Sequence, residues 1–209
     1  MDGVLVDSGE HIILAWQRFA DQHGLDLQEL LRASHGQRTI DTLKRVAPFL
    51  DYDAEAIRLE EQEVELAREL RACPGAASLF GQIPLERVGI VTSASRPLAL
   101  ARLAGARFPV PGVVVTSEEV SAGKPDPEGY LHAALCLGIQ PSEALVIEDA
   151  PAGVAAARAA GMKVLAVTTT HTADQLVEAD VVVSSLECVS ARSGNVNVEL
   201  SFSLSRPHA

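Results

Sequence analysis

No stretch of this 209-residue chain approaches the roughly 18 uninterrupted apolar positions of a membrane-spanning helix. The N-terminus has neither the basic start nor the apolar run of a secretory signal, so the expected location is the cytoplasm. Cysteine is scarce. Cys73, Cys136 and Cys188 are odd in number and far apart, which excludes a disulfide framework and a zinc site and fits a reducing compartment. Basic residues are also few, 17 against 28 acidic ones, for a formal charge of −11. That balance excludes binding that depends on neutralising many phosphates, as on DNA or RNA. A small anion needs only a few local donors or a metal ion, and remains open. There is no internal repeat. What is present is apolar material: 47% hydrophobic residues, ample for the core of one domain carrying a modest insertion.

From about residue 87 onward, short β-branched runs alternate with helical segments. The runs are Val88–Val91, Val113–Val115, Ala144–Ile147, Val164–Val167 and Val181–Val183. Helix-end signals lie between them. Ser95 with Pro97 opens a segment closed by Gly105, Asp126 with Pro127 opens another stopped by Gly138, and Pro151 opens a third ending at Gly161. The expected fold class is therefore α/β, a Rossmann-like doubly wound parallel sheet. Residues 10–72 lack any strand-like run and carry two amphipathic stretches. Ile12, Ile13, Trp16, Phe19 and Ala20 share the first apolar face; Ile57, Val64, Ala67 and Leu70 share the second. The expectation is an inserted helical unit over 10–72, with 1–9 and 73–209 forming the α/β core. Glu60, Glu61, Gln62 and Glu63 read as its solvated face. Val196, Val198, Leu200 and Phe202 alternate as an edge strand would, and the last few residues read as frayed.

Four polar constellations sit near the carboxyl ends of apolar runs, where open α/β sheets bind ligands. Asp2-Gly3 with Asp7-Ser8 reads equally well as a turn and a helix cap. Thr92-Ser93-Ala94-Ser95 reads as a site or as a polar strand end, and Lys124 in Gly-Lys-Pro-Asp-Pro as a site or as a surface lysine in a stiff loop. Glu148-Asp149, directly after Leu145-Val146-Ile147, is less readily an accident. Two adjacent carboxylates beside a core are costly unless donors or a cation balance them, and hard oxygen ligands suit magnesium.

Taken in order, an Asp loop, a strand-end Ser/Thr, a Lys-Pro and a strand-end Glu-Asp, the set resembles the haloacid dehalogenase-like hydrolases. Within them it resembles the magnesium-dependent phosphatases with an inserted helical cap, over residues 1 to about 185. The resemblance implies an opening motif Asp-x-Asp-Gly-x-x-x-Asp-Ser/Thr, whose first Asp attacks phosphorus to form an aspartyl-phosphate. Asp2 then matches the second, acid/base Asp and Met1 the variable residue before it. The attacking Asp would stand immediately ahead of Met1, at the end of a central strand. Because that variable position is often Met, an internally placed start codon is the expectation. The resemblance further implies that Ser93 binds a phosphoryl oxygen and that Lys124 neutralises developing charge. It makes Glu148, Asp149 and the Asp2 carbonyl the magnesium ligands.

Ser34-His35-Gly36-Gln37-Arg38-Thr39 forms a polar island resembling a stretch of glycerol-phosphate and 2-deoxyglucose-6-phosphate phosphatases. It implies a small sugar or polyol phosphate as substrate, met by His35 and Arg38 when the cap closes, with Ser95 and Arg96 at the pocket mouth. The expected protein is a monomer or weak dimer with no nucleic-acid or membrane partner. Two alternatives stay open: a phosphotransferase of the β-phosphoglucomutase kind, and a catalytically silent ligand-binding member.

Overall fold

The computed structural model describes residues 1–194 and 197–202. The parallel strands form two ladders. One joins β3 (Gly89–Val91) to β4 (Val113–Val115), and the other runs β5 (Leu145–Glu148), β6 (Lys163–Val167), β7 (Val181–Val183). Two short antiparallel pairs accompany them: β1 (Val6–Asp7) with β2 (Arg71–Ala72), and β8 (Val189–Ser193) with β9 (Val198–Phe202). The alternating stretch near the end thus supplies β9, although Val196 and the final seven residues lie outside the described residues.

Side-chain alternation along β6 shows why the parallel sheet is covered on both faces. Leu165 and Val167 pack into one cluster with α5 (Ala76–Phe80) and α6 (Arg96–Gly105). Val164 and Ala166 pack into another with α7 (Glu128–Leu137) and α8 (Pro151–Ala159). The helix ends follow their sequence signals. Pro97 lies in the first turn of α6, Gly138 takes the left-handed conformation at the end of α7, and Pro151 opens α8. Met1 belongs to the first cluster with Ile90 of β3 and Leu165 of β6.

Four helices precede this core: α1 (Gly9–His23), α2 (Leu27–Ser34), α3 (Thr39–Val46) and α4 (Tyr52–Leu66). Asp26 and Asp51 cap α2 and α4 by accepting from the amides of Glu29 and Ala54. Their apolar faces build a separate cluster around Trp16, Phe19, Leu30, Leu43 and Leu59, with Trp16 and Phe19 edge to face at 5.8 Å.

The expected face of α4 is corrected. Ile57 is 61% exposed, and the buried side is Ala56, Leu59 and Glu63. The helix ends at Leu66, so Ala67 and Leu70 join the α/β cluster instead. Glu63 is also not part of a solvated face; it is 7% exposed. The physical reason is a long-range ion pair, described below.

Leu59→Ala is expected to lower the free energy of unfolding by about 2–5 kcal/mol through a residual cavity. Ile57→Ala, two residues earlier, is expected to change it by less than about 0.5 kcal/mol. Urea midpoints of the two variants check this, and equal losses would put Ile57 in the packed face after all.

Candidate active site

The carboxyl ends of the parallel strands open into a cleft of about 220 Å³, roofed by α1, α2 and the loop between α2 and α3. Asp2, Ser93, Lys124, Glu148, Asp149 and His35 all line it, although they come from five separate places in the chain. Ser93 follows β3, Glu148 ends β5, and Lys124 lies in the loop ahead of α7.

Glu148 is the most heavily bonded of these groups. Its Oε1 accepts from the Lys124 ammonium in a short contact and from the Tyr130 hydroxyl at 2.6 Å. Its Oε2 accepts from the amides of Asp149 (3.0 Å) and Ala150 (3.3 Å), just ahead of the N-terminus of α8. A Cβ on Gly153, in the first turn of α8, would lie 2.1 Å from the carboxylate, so only glycine leaves room. Burial works against the charge, but the Lys124 ammonium and these donors hold the Glu148 carboxyl well below the usual range.

Asp149 is pushed the other way, by burial and by the neighbouring Glu148 charge, with the Thr170 hydroxyl only partly compensating. It packs on the opening turn: Gly3 has φ +67°, and a Cβ there would meet Asp149 Oδ2 at 2.0 Å.

Asp2 accepts from Ser8 Oγ at 2.7 Å and from Arg102 of α6 at 2.9 Å. Burial would raise its carboxyl, but the Arg102 guanidinium and Ser8 hold it below the ordinary value. Arg102 also reaches Glu63 of α4 at 3.2 Å, so one buried guanidinium serves two carboxylates. Burial wins at Glu63, whose carboxyl is pushed up to about 7.

The remaining predicted residues are placed differently. His35 lines the cleft, with Nδ1–H donating to the Leu31 carbonyl at 2.6 Å and its ring 5.4 Å from that of His171. Ser93 Oγ donates to the Gly36 carbonyl at 2.8 Å. Arg38, Ser95 and Arg96 do not line the cleft. Arg38 binds Asp41 and the carbonyls of Val120 and Ser121, Ser95 bonds to Glu60, and Arg96 turns to Glu119 and the Val114 carbonyl. In each case closer partners claim the side chain.

The residues of the expected magnesium set, Glu148, Asp149 and Asp2 with its backbone carbonyl, all line the cleft. Among the described residues, no three His, Cys, Asp or Glu groups converge to hold an ion. Glu148 is engaged by Lys124, Tyr130 and two amides, and the Asp2 carboxylate by Arg102. A hard cation fits the donors that remain, which are oxygens led by Asp149, whose charge is otherwise poorly compensated.

Sequence reasoning missed Arg102, Tyr130, Thr170 and His171. Thr168-Thr169-Thr170-His171 follows β6 and carries the same strand-end signal that found Ser93. Arg102 and Tyr130 sit inside helices and carry none.

A two-sided parallel sheet with a hydroxyl, an ammonium and two carboxylates at its strand ends defines a Rossmann-like enzyme core. The chain belongs to the haloacid dehalogenase-like hydrolases, whose family model matches residues 1–161. It is 40% identical over 195 residues to hexitol phosphatase A of Escherichia coli (strain K12), covering 91% of this chain and 90% of that protein. It is 32% identical over 213 residues to glycerol-1-phosphate phosphohydrolase 2 of Saccharomyces cerevisiae, covering 95% and 84%. A hydrolase from Pseudomonas syringae superposes with a TM-score of 0.76 at 26% identity, over 89% of this chain and 91% of that one.

The raised Glu63 gives a pH dependence of stability. The folded state holds a proton there that the unfolded chain releases near 4.5, so this contribution is full below that pH and is lost as the pH rises to about 7. Glu63→Gln removes the titration and is expected to flatten the fall in melting temperature across that window. An unchanged profile would mean that Arg102 keeps Glu63 ionised.

Proposed function

We propose that the protein hydrolyses the phosphate monoester of a small sugar or polyol, with magnesium as its cation and the α1–α4 unit, about residues 10–72, as the cap over the cleft. The observation that carries the reading is the convergence of Ser93, Lys124, Glu148 and Asp149 under a roof of mixed apolar and polar residues. The printed names of the two relatives above, a hexitol phosphatase and a glycerol-1-phosphate phosphohydrolase, support the substrate class. They favour net hydrolysis over the phosphotransferase alternative.

The Ser93 hydroxyl, released from the Gly36 carbonyl, donates to a phosphoryl oxygen. Lys124 offsets the charge that accumulates on the equatorial oxygens as the ester P–O bond breaks. Asp2, held ionised by Arg102 and Ser8, is suited to accept a proton from attacking water and to return one to a leaving oxygen. Asp149, with the Asp2 backbone carbonyl, would hold the magnesium ion, which when bound supplies further charge neutralisation at the phosphate. Glu148 acts mainly by fixing Lys124. His35 keeps Nε2 free for a substrate hydroxyl, and Gln37, also in the cleft wall, is placed for a second. Ile12, Ile13, Trp16 and Leu31 exclude water around the carbon skeleton. A cytoplasmic location, in the monomeric or weakly dimeric state, suits a soluble metabolite phosphate; no helix among the described residues is long and apolar enough to cross a membrane.

Magnesium-dependent phosphate release by the full-length natural protein, from glycerol phosphate, hexitol phosphates and hexose phosphates, tests the reading. Lys124→Ala and Asp149→Asn are each expected to lower kcat by about 10²–10³-fold. Transfer of phosphate between hexose positions without net release would replace hydrolysis by the phosphotransferase alternative. Absence of turnover on every one of these esters would overturn both.

A further inference from the structure

Arg38 lies one residue beyond Gln37 in the loop after α2, yet it lines not the cleft but a small adjoining pocket of about 20 Å³, whose wall it shares with Ser93 and Lys124. Nε and Nη2 donate to the two oxygens of Asp41 at 2.6 and 3.2 Å, which fixes the plane of the fork. The other edge reaches across to the core: Nη1 donates to the Val120 carbonyl at 3.1 Å and Nη2 to the Ser121 carbonyl at 3.2 Å. Four of the five guanidinium N–H groups are thereby used, and the side chain is 15% exposed. A substrate oxygen could engage the fork in a bidentate way only by displacing a main-chain carbonyl or Asp41.

The receiving loop is built to hold still. The Ser121 amide, the Ser121 hydroxyl and the Ala122 amide all donate to Glu128 at the start of α7, at 2.7–3.0 Å. With its donors tied back to the core, the loop presents two carbonyls outward. Gly123 completes the fit, since a Cβ there would meet Arg38 Nε at 3.0 Å and Asp41 Oδ2 at 3.1 Å. Lys124 is the next residue. At the other end of the same cap loop, the Gly36 carbonyl takes the Ser93 hydroxyl. A segment of six residues, Gly36 to Asp41, therefore touches both the Ser93 turn and the Lys124 loop.

We infer that Arg38, held in plane by Asp41, is a docking pin that seats the helical unit on the carbonyls of Val120 and Ser121. It is a positioning residue for the phosphoryl site rather than a ligand of the substrate. Only the kinetic part of its test rests on the phosphatase reading above. Gln37 and His35 face the cleft and read the substrate; Arg38 faces the core and sets how the roof sits over Ser93 and Lys124. A substrate ligand acts on the substrates that reach it. A pin acts on all of them alike.

Four variants of the full-length protein separate the two roles: Arg38→Ala, Arg38→Lys, Asp41→Asn and Gln37→Ala. Amide hydrogen exchange without substrate is expected to rise across residues 34–46 in Arg38→Ala and Asp41→Asn, and to stay unchanged in Gln37→Ala. Arg38→Lys keeps the charge without the fork and is expected to fall between; it decides the matter if Arg38→Ala does not fold. In kinetics, kcat/KM is expected to drop by a common factor for glycerol phosphate and for a hexitol phosphate. The factor is about tenfold or more, on the scale of one charge-assisted hydrogen bond, with kcat carrying part of the loss. Gln37→Ala should instead change the ratio between the two substrates. Unchanged exchange in Arg38→Ala, or a loss confined to KM for the longer substrate, would overturn the pin. If no version of the protein turns over phosphate, the function proposed above fails and the exchange result alone still decides the role of Arg38.

Discussion

A carboxylate at the buried end of β5 has to be kept ionised, and much of the site follows from how that is done. Glu148 takes an ammonium, a phenol and two amides. Burying such a charge without partners would cost several kcal/mol. Each partner therefore comes with structure attached. Lys124 brings the loop ahead of α7, Tyr130 brings the helix itself, and the amides bring the start of α8 with Gly153 excluded from carrying any side chain. Satisfying one charge brings together the pieces that surround a phosphate.

A second buried charge ties the helical unit to the core. Arg102 belongs to α6, while its two carboxylates, Asp2 and Glu63, come from the opening turn and from α4. One positive charge cannot satisfy two negative ones at low dielectric, which is why Glu63 is driven toward its neutral form while Asp2 stays ionised. Two further fastenings are polar, Gly36 to Ser93 and Arg38 to Val120 and Ser121, while Val64 of α4 packs against the apolar cluster that α6 shares with the sheet. The apolar cluster of the helical unit is separate from the two clusters flanking the sheet. Polar contacts of this kind can be exchanged for water or substrate, whereas the Val64 contact ties α4 to the core.

What was legible in the sequence, and what was not, divides along the range of the interactions. Strand ends could be read because β-branched runs stop at polar residues, and this was enough to single out Ser93, Glu148 and Asp149, with Lys124 marked by its Gly-Lys-Pro-Asp-Pro loop; the structure brings all four to one cleft. The apolar face of α1 could be read at Trp16, Phe19 and Ala20, whose burial is set by local periodicity, but not at Ile13, which is 47% exposed. The face of α4 could not. Glu63 is buried because Arg102 lies 39 positions later in sequence, and no window along α4 contains that fact. Arg38 was singled out as a partner for substrate, and in the structure its fork holds Asp41 and two main-chain carbonyls; a guanidinium fork matches phosphate oxygens and main-chain carbonyls equally well. Tyr130 and Arg102 fill ordinary helical positions, and only the fold shows which carboxylate each one meets.

The two charge networks together bear on the proposed cation. Lys124 is shared with Glu148, and Arg102 with Asp2 and Glu63, so each fixed positive charge at the cleft already has a carboxylate partner. Asp149 has the Thr170 hydroxyl as a donor and only partial help from the Lys124 charge, and its own charge stays disfavoured by burial and by Glu148. An arriving phosphate dianion would add to a surplus of negative charge in a partly buried space. Lys124 can lean toward it only by loosening its hold on Glu148. The divalent ion proposed above, if held at Asp149, would offset that surplus and stabilise a poorly compensated carboxylate. On this reasoning cation and substrate would bind cooperatively, because each would relieve the repulsion that the other would face alone.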